Sequence, residues 1–207
     1  MVLLHGLWMH GIVTTPLQRR LRQDAGFAAR HFSYQTVSKD LETNRQKLLD
    51  WMHALPETTV HLVGHSLGGV LALQVIADPG WDRPGRVVCL GSPLVDSAAA
   101  RRLQNWPGGR TILGKTLRDA VLEQPLRECP KGREVGVIAG NVAVGIGRLI
   151  GPLEKPNDGV VSVAETKLPG ITDHIVLPVT HLGLLFSSQV ATQTAFFLRH
   201  GRFDTSR

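Results

Sequence analysis

The chain has 207 residues, 43% of them hydrophobic and 19% charged, which fits one compact domain over residues 1–207 with disorder expected only at the last few residues. A chain of this length buries roughly 70% of the surface that its unfolded form exposes. The formal charge of +6 comes from short clusters, Arg19-Arg20 with Arg22 and Arg101-Arg102, and aromatics are only 5%. Without basic residues interleaved with stacking rings, and without a zinc-finger or RNA-binding signature, nucleic acid is not an expected partner.

In chain order, residues 2–4 form a first apolar strand that meets His5-Gly6 at once. No charged n-region or apolar h-region of a signal peptide precedes it, and no apolar run approaches transmembrane length, so the expectation is a cytoplasmic protein without stable membrane insertion. A helix is predicted over 16–25, a weaker strand over 27–34, and a second helix over 39–54. A strand over 60–63 leads into a helix over 66–77, which Asp78-Pro79-Gly80 stops. A strand over 86–90 follows, then an irregular stretch from 97 to 131 with Pro107-Gly108-Gly109 in its middle and a helix over 117–123. The strand over 134–139 is succeeded by a second irregular, glycine-rich stretch, 140–156. A last strand over 174–179 and a helix over 189–200 complete the pattern, with Gly201 as its stop.

Short apolar runs alternating with helices are the mark of βαβ units, so the fold class is α/β: a central, mostly parallel sheet of about six strands with helices on both faces. The irregular 97–131 and 140–156 segments are expected near a cleft. Gly145, Gly147 and Gly151 do not match the dinucleotide fingerprint and lack its strand-then-helix context. Cys89 and Cys129 form no C-x-x-C pair, so neither a metal site nor a dithiol is indicated.

Chemistry concentrates at Gly64-His65-Ser66-Leu67-Gly68-Gly69, between the 60–63 strand and the 66–77 helix. A strand-to-helix turn this tight needs small residues two before and two after the serine, and it leaves Ser66 at the sheet's carboxyl edge and at a helix N-terminus. A developing oxyanion there needs two backbone donors. The N–H of Leu67 supplies one, and the N–H of Leu7, after the strand-ending His5-Gly6, supplies the other. His5 then shapes the loop.

A serine is a weak nucleophile without a base, and among nine histidines position singles out His181, directly after the last strand in Thr180-His181-Leu182-Gly183. His31, His61 and His174 fall within strands and His53 and His200 near helix ends, where structural roles are expected. The base needs a carboxylate. Asp158, in the turn Asn157-Asp158-Gly159, is favoured, and Asp96, which resembles a helix N-cap before Ala98–Ala100, is the rival. Asp173 is separated from His181 by eight residues of extended chain, roughly 26 Å.

His5-Gly6, Gly64-His65-Ser66-Leu67-Gly68, Asp158 and His181, in the order Ser, Asp, His, resemble the lipase and esterase branch of the α/β hydrolases over nearly the whole chain. The first strand already carries His-Gly, so the two strands that precede it in larger members and a full cap domain look absent, as in minimal capless lipases. The resemblance implies attack of Ser66 on an ester carbonyl, an acyl-enzyme, and hydrolysis by water activated through His181, with no cofactor. Thioesterase, amidase or acyltransferase activity needs the same residues, and a non-catalytic binder on this fold is the alternative of another class. The partner expected is a small-molecule ester with apolar groups, because Trp8 and Met9, with Leu7, Ile12, Val142, Val144 and Ile146, give the cleft apolar walls.

Overall fold

Strands this apolar must be covered on both faces, and the chain does so with helices. The computed structural model describes residues 1–144 and 151–206. Its sheet contains β1 (Val2–Leu4), β2 (Arg30–Phe32), β3 (Leu62–His65), β4 (Val87–Leu90), β5 (Val135–Gly140) and β6 (Asp173–Leu177), all parallel, in the order β2-β1-β3-β4-β5-β6.

Successive side chains of a strand point to opposite faces, and the burial follows that rule. Val2, Leu4, Leu62, Val87 and Val135 pack with α2 (Leu41–His53) and α3 (Leu67–Ile76). Leu3, Val63, Val88, Leu90 and Ile138 pack on the other side against α1 (Thr15–Gln23) and α6 (Ser188–His200). Helix α3 is apolar almost all round and buried almost all round, as its place against the middle of the sheet requires. Helices α2 and α6 start on capping side chains: Thr43 N–H donates to Asp40, and Val190 N–H to Ser187.

The strand order places the site. The chain leaves β1 for β2 on one side and returns to β3 on the other, so the loops that follow β1 and β3 diverge and open a crevice at their carboxyl ends. His5-Gly6 and Ser66 are the residues at those two ends.

The elements stand close to their expected places, with informative differences. Strand β3 runs on to His65 because Gly64 fits within the ladder and the chain turns only at Ser66. Strand β6 stops at Leu177 because Pro178 has no N–H to offer, and Val179 turns back to Leu177 O at 2.8 Å. The 97–131 stretch is not irregular: it holds α4 (Ala98–Gln104), α5 (Gly109–Arg118) and a π-helical turn (Asp119–Glu123). Its glycines mislead as loop markers. Gly108 sits at φ 73 just before α5, and Gly114 at φ 68 breaks that helix internally.

This helical pair is fastened to the start of α2. Asn44 Nδ2 donates to Thr116 Oγ1 at 2.8 Å, Thr116 Oγ1 donates to Lys39 O at 2.7 Å, and Leu41 N–H donates to Asp119 Oδ2 at 3.1 Å. Asp96 is not the N-cap of α4. Ser97, one residue nearer the helix, accepts from Ala100 N–H at 3.1 Å, while Asp96 takes the Ser97 N–H and pairs with exposed Arg101. Among the described residues no helix is long and apolar enough to cross a membrane. The middle of the glycine-rich 140–156 stretch, with Ile146, lies outside the described residues.

Candidate active site

The Ser66 backbone is held at φ 54, ψ −123, a left-handed conformation that costs a non-glycine residue about 1–3 kcal/mol. Glycines make the turn possible by leaving space. A Cβ on Gly64 would lie 2.3 Å from Gly69 N, one on Gly68 2.5 Å from Leu4 O, and one on Gly69 2.1 Å from Ser92 Oγ. Ser66 N–H donates to Leu90 O at 2.8 Å, which pins the turn to β4, and its hydroxyl is not used as a helix cap. The hydroxyl makes no hydrogen bond among the described residues; nucleophile-to-base contacts are commonly long in a resting site and tighten with substrate.

The loop after β1 backs onto Ser66, since a Cβ on Gly6 would lie 3.2 Å from Ser66 Cβ. His5 is fully buried and shapes this loop. Its Nε2 accepts from Tyr34 N–H at 3.2 Å, so Nδ1 carries the proton and donates to Gly6 O at 2.9 Å. Tyr34 stacks on the ring at 4.4 Å and donates its hydroxyl to His5 O at 2.7 Å. Burial lowers the His5 pKa, in keeping with the neutral ring that this bonding needs. Trp8 follows at φ 58, its N–H on Thr36 Oγ1. Among the described residues, Trp8 and Ser66 are the non-glycine residues with positive φ, and they flank one cavity. The Leu7 N–H meets no acceptor among the described residues, and Leu67, as the first residue of α3, has no carbonyl one turn back.

His181 and Asp158 form a tight buried pair, Nδ1 to Oδ2 at 2.7 Å. The two oxygens of Asp158 divide the work: Oδ1 accepts from Val160 N–H at 2.9 Å and Val161 N–H at 2.8 Å, leaving Oδ2 for the imidazole. The backbone repeats the link, His181 N–H to Asp158 O at 2.9 Å. Space for the pair is cleared by glycines at the ends of two strands. A Cβ on Gly91 would lie 2.9 Å from Asp158 Oδ2, and one on Gly140 2.8 Å from Asp158 Cβ.

Ser66, His181, Leu7, Trp8 and Met9 all line one cavity of about 560 Å³. Its remaining wall is apolar, with Leu103 of α4, Leu113 and Leu117 of α5, and Val144 and Leu182 at the rim. Asp158 lies behind His181, and Asp96 is turned away to Arg101. Asp173 tethers the C-terminus through Phe203 N–H at 2.8 Å. His31, His61 and His174 are engaged by Thr14, Arg86 N–H and Thr166 respectively.

One residue at the site was passed over in the sequence. His65, the variable residue within Gly64-x-Ser66, is fully buried between the Ser66 turn and the His181 loop, its Nε2 3.0 Å from His181 O. Its position beside Ser66 was the only available sign. Helix α5 as a cavity wall was likewise hidden by the glycines at its start and within it.

Comparison with known proteins agrees with this architecture. A model described as the alpha/beta hydrolase family matches residues 1–181. No curated protein sequence matches the chain. Among solved structures, lipase BlEst2 of Bacillus licheniformis in its mature form is 18% identical, covers 97% of this chain and 90% of its own, and superposes with a TM-score of 0.69. The pyrethroid hydrolase PytH is 16% identical with 96% of each chain covered and a TM-score of 0.68. A metagenomic carboxyl esterase is 18% identical, covering 96% of this chain and 74% of its own at 0.64. At such identities the likeness is one of fold, and with the family match over most of its length the chain belongs to the alpha/beta hydrolase family.

Proposed function

We propose that the protein is a serine hydrolase that cleaves carboxylic esters carrying apolar groups. The observation that carries this reading is the meeting, at one apolar cavity, of a serine held at φ 54 on a helix N-terminus and a histidine whose Nδ1 lies 2.7 Å from a buried carboxylate.

In this mechanism His181 Nε2 takes the Ser66 hydroxyl proton as Oγ attacks the ester carbonyl. The carbonyl oxygen becomes an oxyanion that accepts from the N–H groups of Leu7 and Leu67, at the positive end of α3. The tetrahedral adduct collapses, and the alcohol leaves with the proton from His181. Water then attacks the acyl-Ser66 carbonyl, giving its proton to His181, and the second collapse returns that proton to Ser66 and frees the carboxylic acid. Asp158 Oδ2 keeps Nδ1–H in place throughout and stabilises the imidazolium. The names lipase and carboxyl esterase among the structural neighbours accord with this reading.

The cavity volume of about 560 Å³ suits one drug-sized apolar group, and one wall is set by α4 and α5, the latter fastened to α2 through Thr116. The expected substrates are therefore esters of short or medium acyl chains. Across a chain-length series of p-nitrophenyl esters, activity should peak below the long-chain substrates, and Leu113→Trp, which fills the wall, should move the peak to shorter chains. A peak at long chains, or one unmoved by Leu113→Trp, contradicts this substrate class; no turnover of any ester in the series contradicts the ester reading itself.

A further inference from the structure

His65 joins the strand that presents Ser66 to the loop that presents His181. It ends β3, is covalently next to Ser66, and is only 1% exposed. A carbonyl only accepts, so the 3.0 Å contact with His181 O puts the proton on Nε2 and leaves Nδ1 as a bare lone pair. Among the described residues that nitrogen has no hydrogen-bond partner, and it faces Gly6, where an added Cβ would come within 3.3 Å of it. The ring centroids of His65 and His181 are 4.7 Å apart.

Both backbone groups of His181 are thereby held, its N–H by Asp158 O and its C=O by His65 Nε2. We infer that His65 is a positioning residue for catalysis: its Nε2–H ties the carbonyl of the base to the residue beside the nucleophile, so that one buried ring sets the Ser66-to-His181 geometry and packs against the loop carrying Leu7. The inference rests on the reading of Ser66 and His181 as nucleophile and base.

The tie needs a proton on Nε2, and the unpartnered Nδ1 needs a ring that carries no second proton. Burial pushes the His65 pKa down to about 3, helped by His181 and His5 and opposed by the bond to His181 O and by Asp158. His65 therefore stays neutral through the working range of a hydrolase. A misplacement of about 1 Å in a reacting group can cost 10²-fold, so loss of the tie should appear in kcat. His65 also lines the cavity, but with only 1% of its surface exposed it offers substrate little contact, so binding should change little.

The test uses three proteins and two measurements. His65→Phe keeps a ring and removes the donor, and His65→Gln restores an N–H donor at similar reach. For a short soluble p-nitrophenyl ester, His65→Phe should lower kcat by about 10- to 100-fold with KM within about twofold, and His65→Gln should recover most of that loss. Equal losses in both variants when both are folded, or a loss confined to KM, would overturn the positioning role. Nitrogen NMR of the wild-type ring is independent of any activity. It should show His65 protonated at Nε2 alone and untitrated from pH 8 to pH 5, and a ring protonated at Nδ1 or titrating in that range also overturns the inference. Failure of the ester reading would instead leave the NMR result standing with no turnover in any of the three proteins.

Discussion

Ser66→Ala should leave a folded protein with kcat for ester hydrolysis reduced on the order of 10⁶-fold, the loss seen when a triad serine is removed. The fold should survive because no hydrogen bond among the described residues depends on the hydroxyl, and alanine meets the same backbone strain at φ 54 that serine already bears. The glycines that make the turn, Gly64, Gly68 and Gly69, are untouched. Circular dichroism and thermal melting check the fold, and steady-state kinetics with a p-nitrophenyl ester read the loss. A folded variant that keeps more than a small fraction of activity removes Ser66 from the nucleophile role.

The second large effect is expected at Asp158. Asparagine there can keep an oxygen for the N–H groups of Val160 and Val161, so the turn should hold. The other position then presents an NH₂ to His181 Nδ1, which demands the opposite tautomer and cannot stabilise an imidazolium. A fall in kcat of roughly 10⁴ is expected. Asp96→Asn should change kcat by less than about twofold, because Asp96 is a half-exposed partner of Ser97 N–H and Arg101, and pairs of that kind contribute little. Parallel kinetics on both variants decide between them, and the reverse ranking would move the acid to Asp96.

Much of this molecule is legible in its sequence because chemistry and topology demand particular residues at particular places. Short apolar runs in a parallel sheet have to be buried on both faces, which made the six strands readable, and a turn as tight as the one at Ser66 cannot be built without its glycines. The pairing of Asp158 with His181 followed from β5 and β6 being neighbours, a consequence of short right-handed crossovers. What stayed hidden depends on contacts distant in sequence. Gly108 and Gly109 at the start of α5 and Gly114 within it read locally as loop, and the bonds of Thr116 and Asp119 to Asn44 and Leu41 outweigh that preference. Ser97 rather than Asp96 caps α4 because the helix begins at Ala98, one residue later than a cap at Asp96 requires, and Ala98 N–H also finds Glu165 Oε1 at 2.5 Å, 67 residues away. His65 gave no sign beyond its place beside Ser66, because its partner, the carbonyl of His181, is 116 residues distant and belongs to the backbone.

Activation of Ser66 as a nucleophile can be read by covalent labelling with a fluorophosphonate, since only a serine with a working base and oxyanion donors reacts at an appreciable rate. Incubation of the native protein followed by proteolysis and mass spectrometry should place a single adduct on Ser66, with none in Ser66→Ala and much slower labelling in Asp158→Asn. An unlabelled native protein, or an adduct on another residue that persists in Ser66→Ala, would contradict the account.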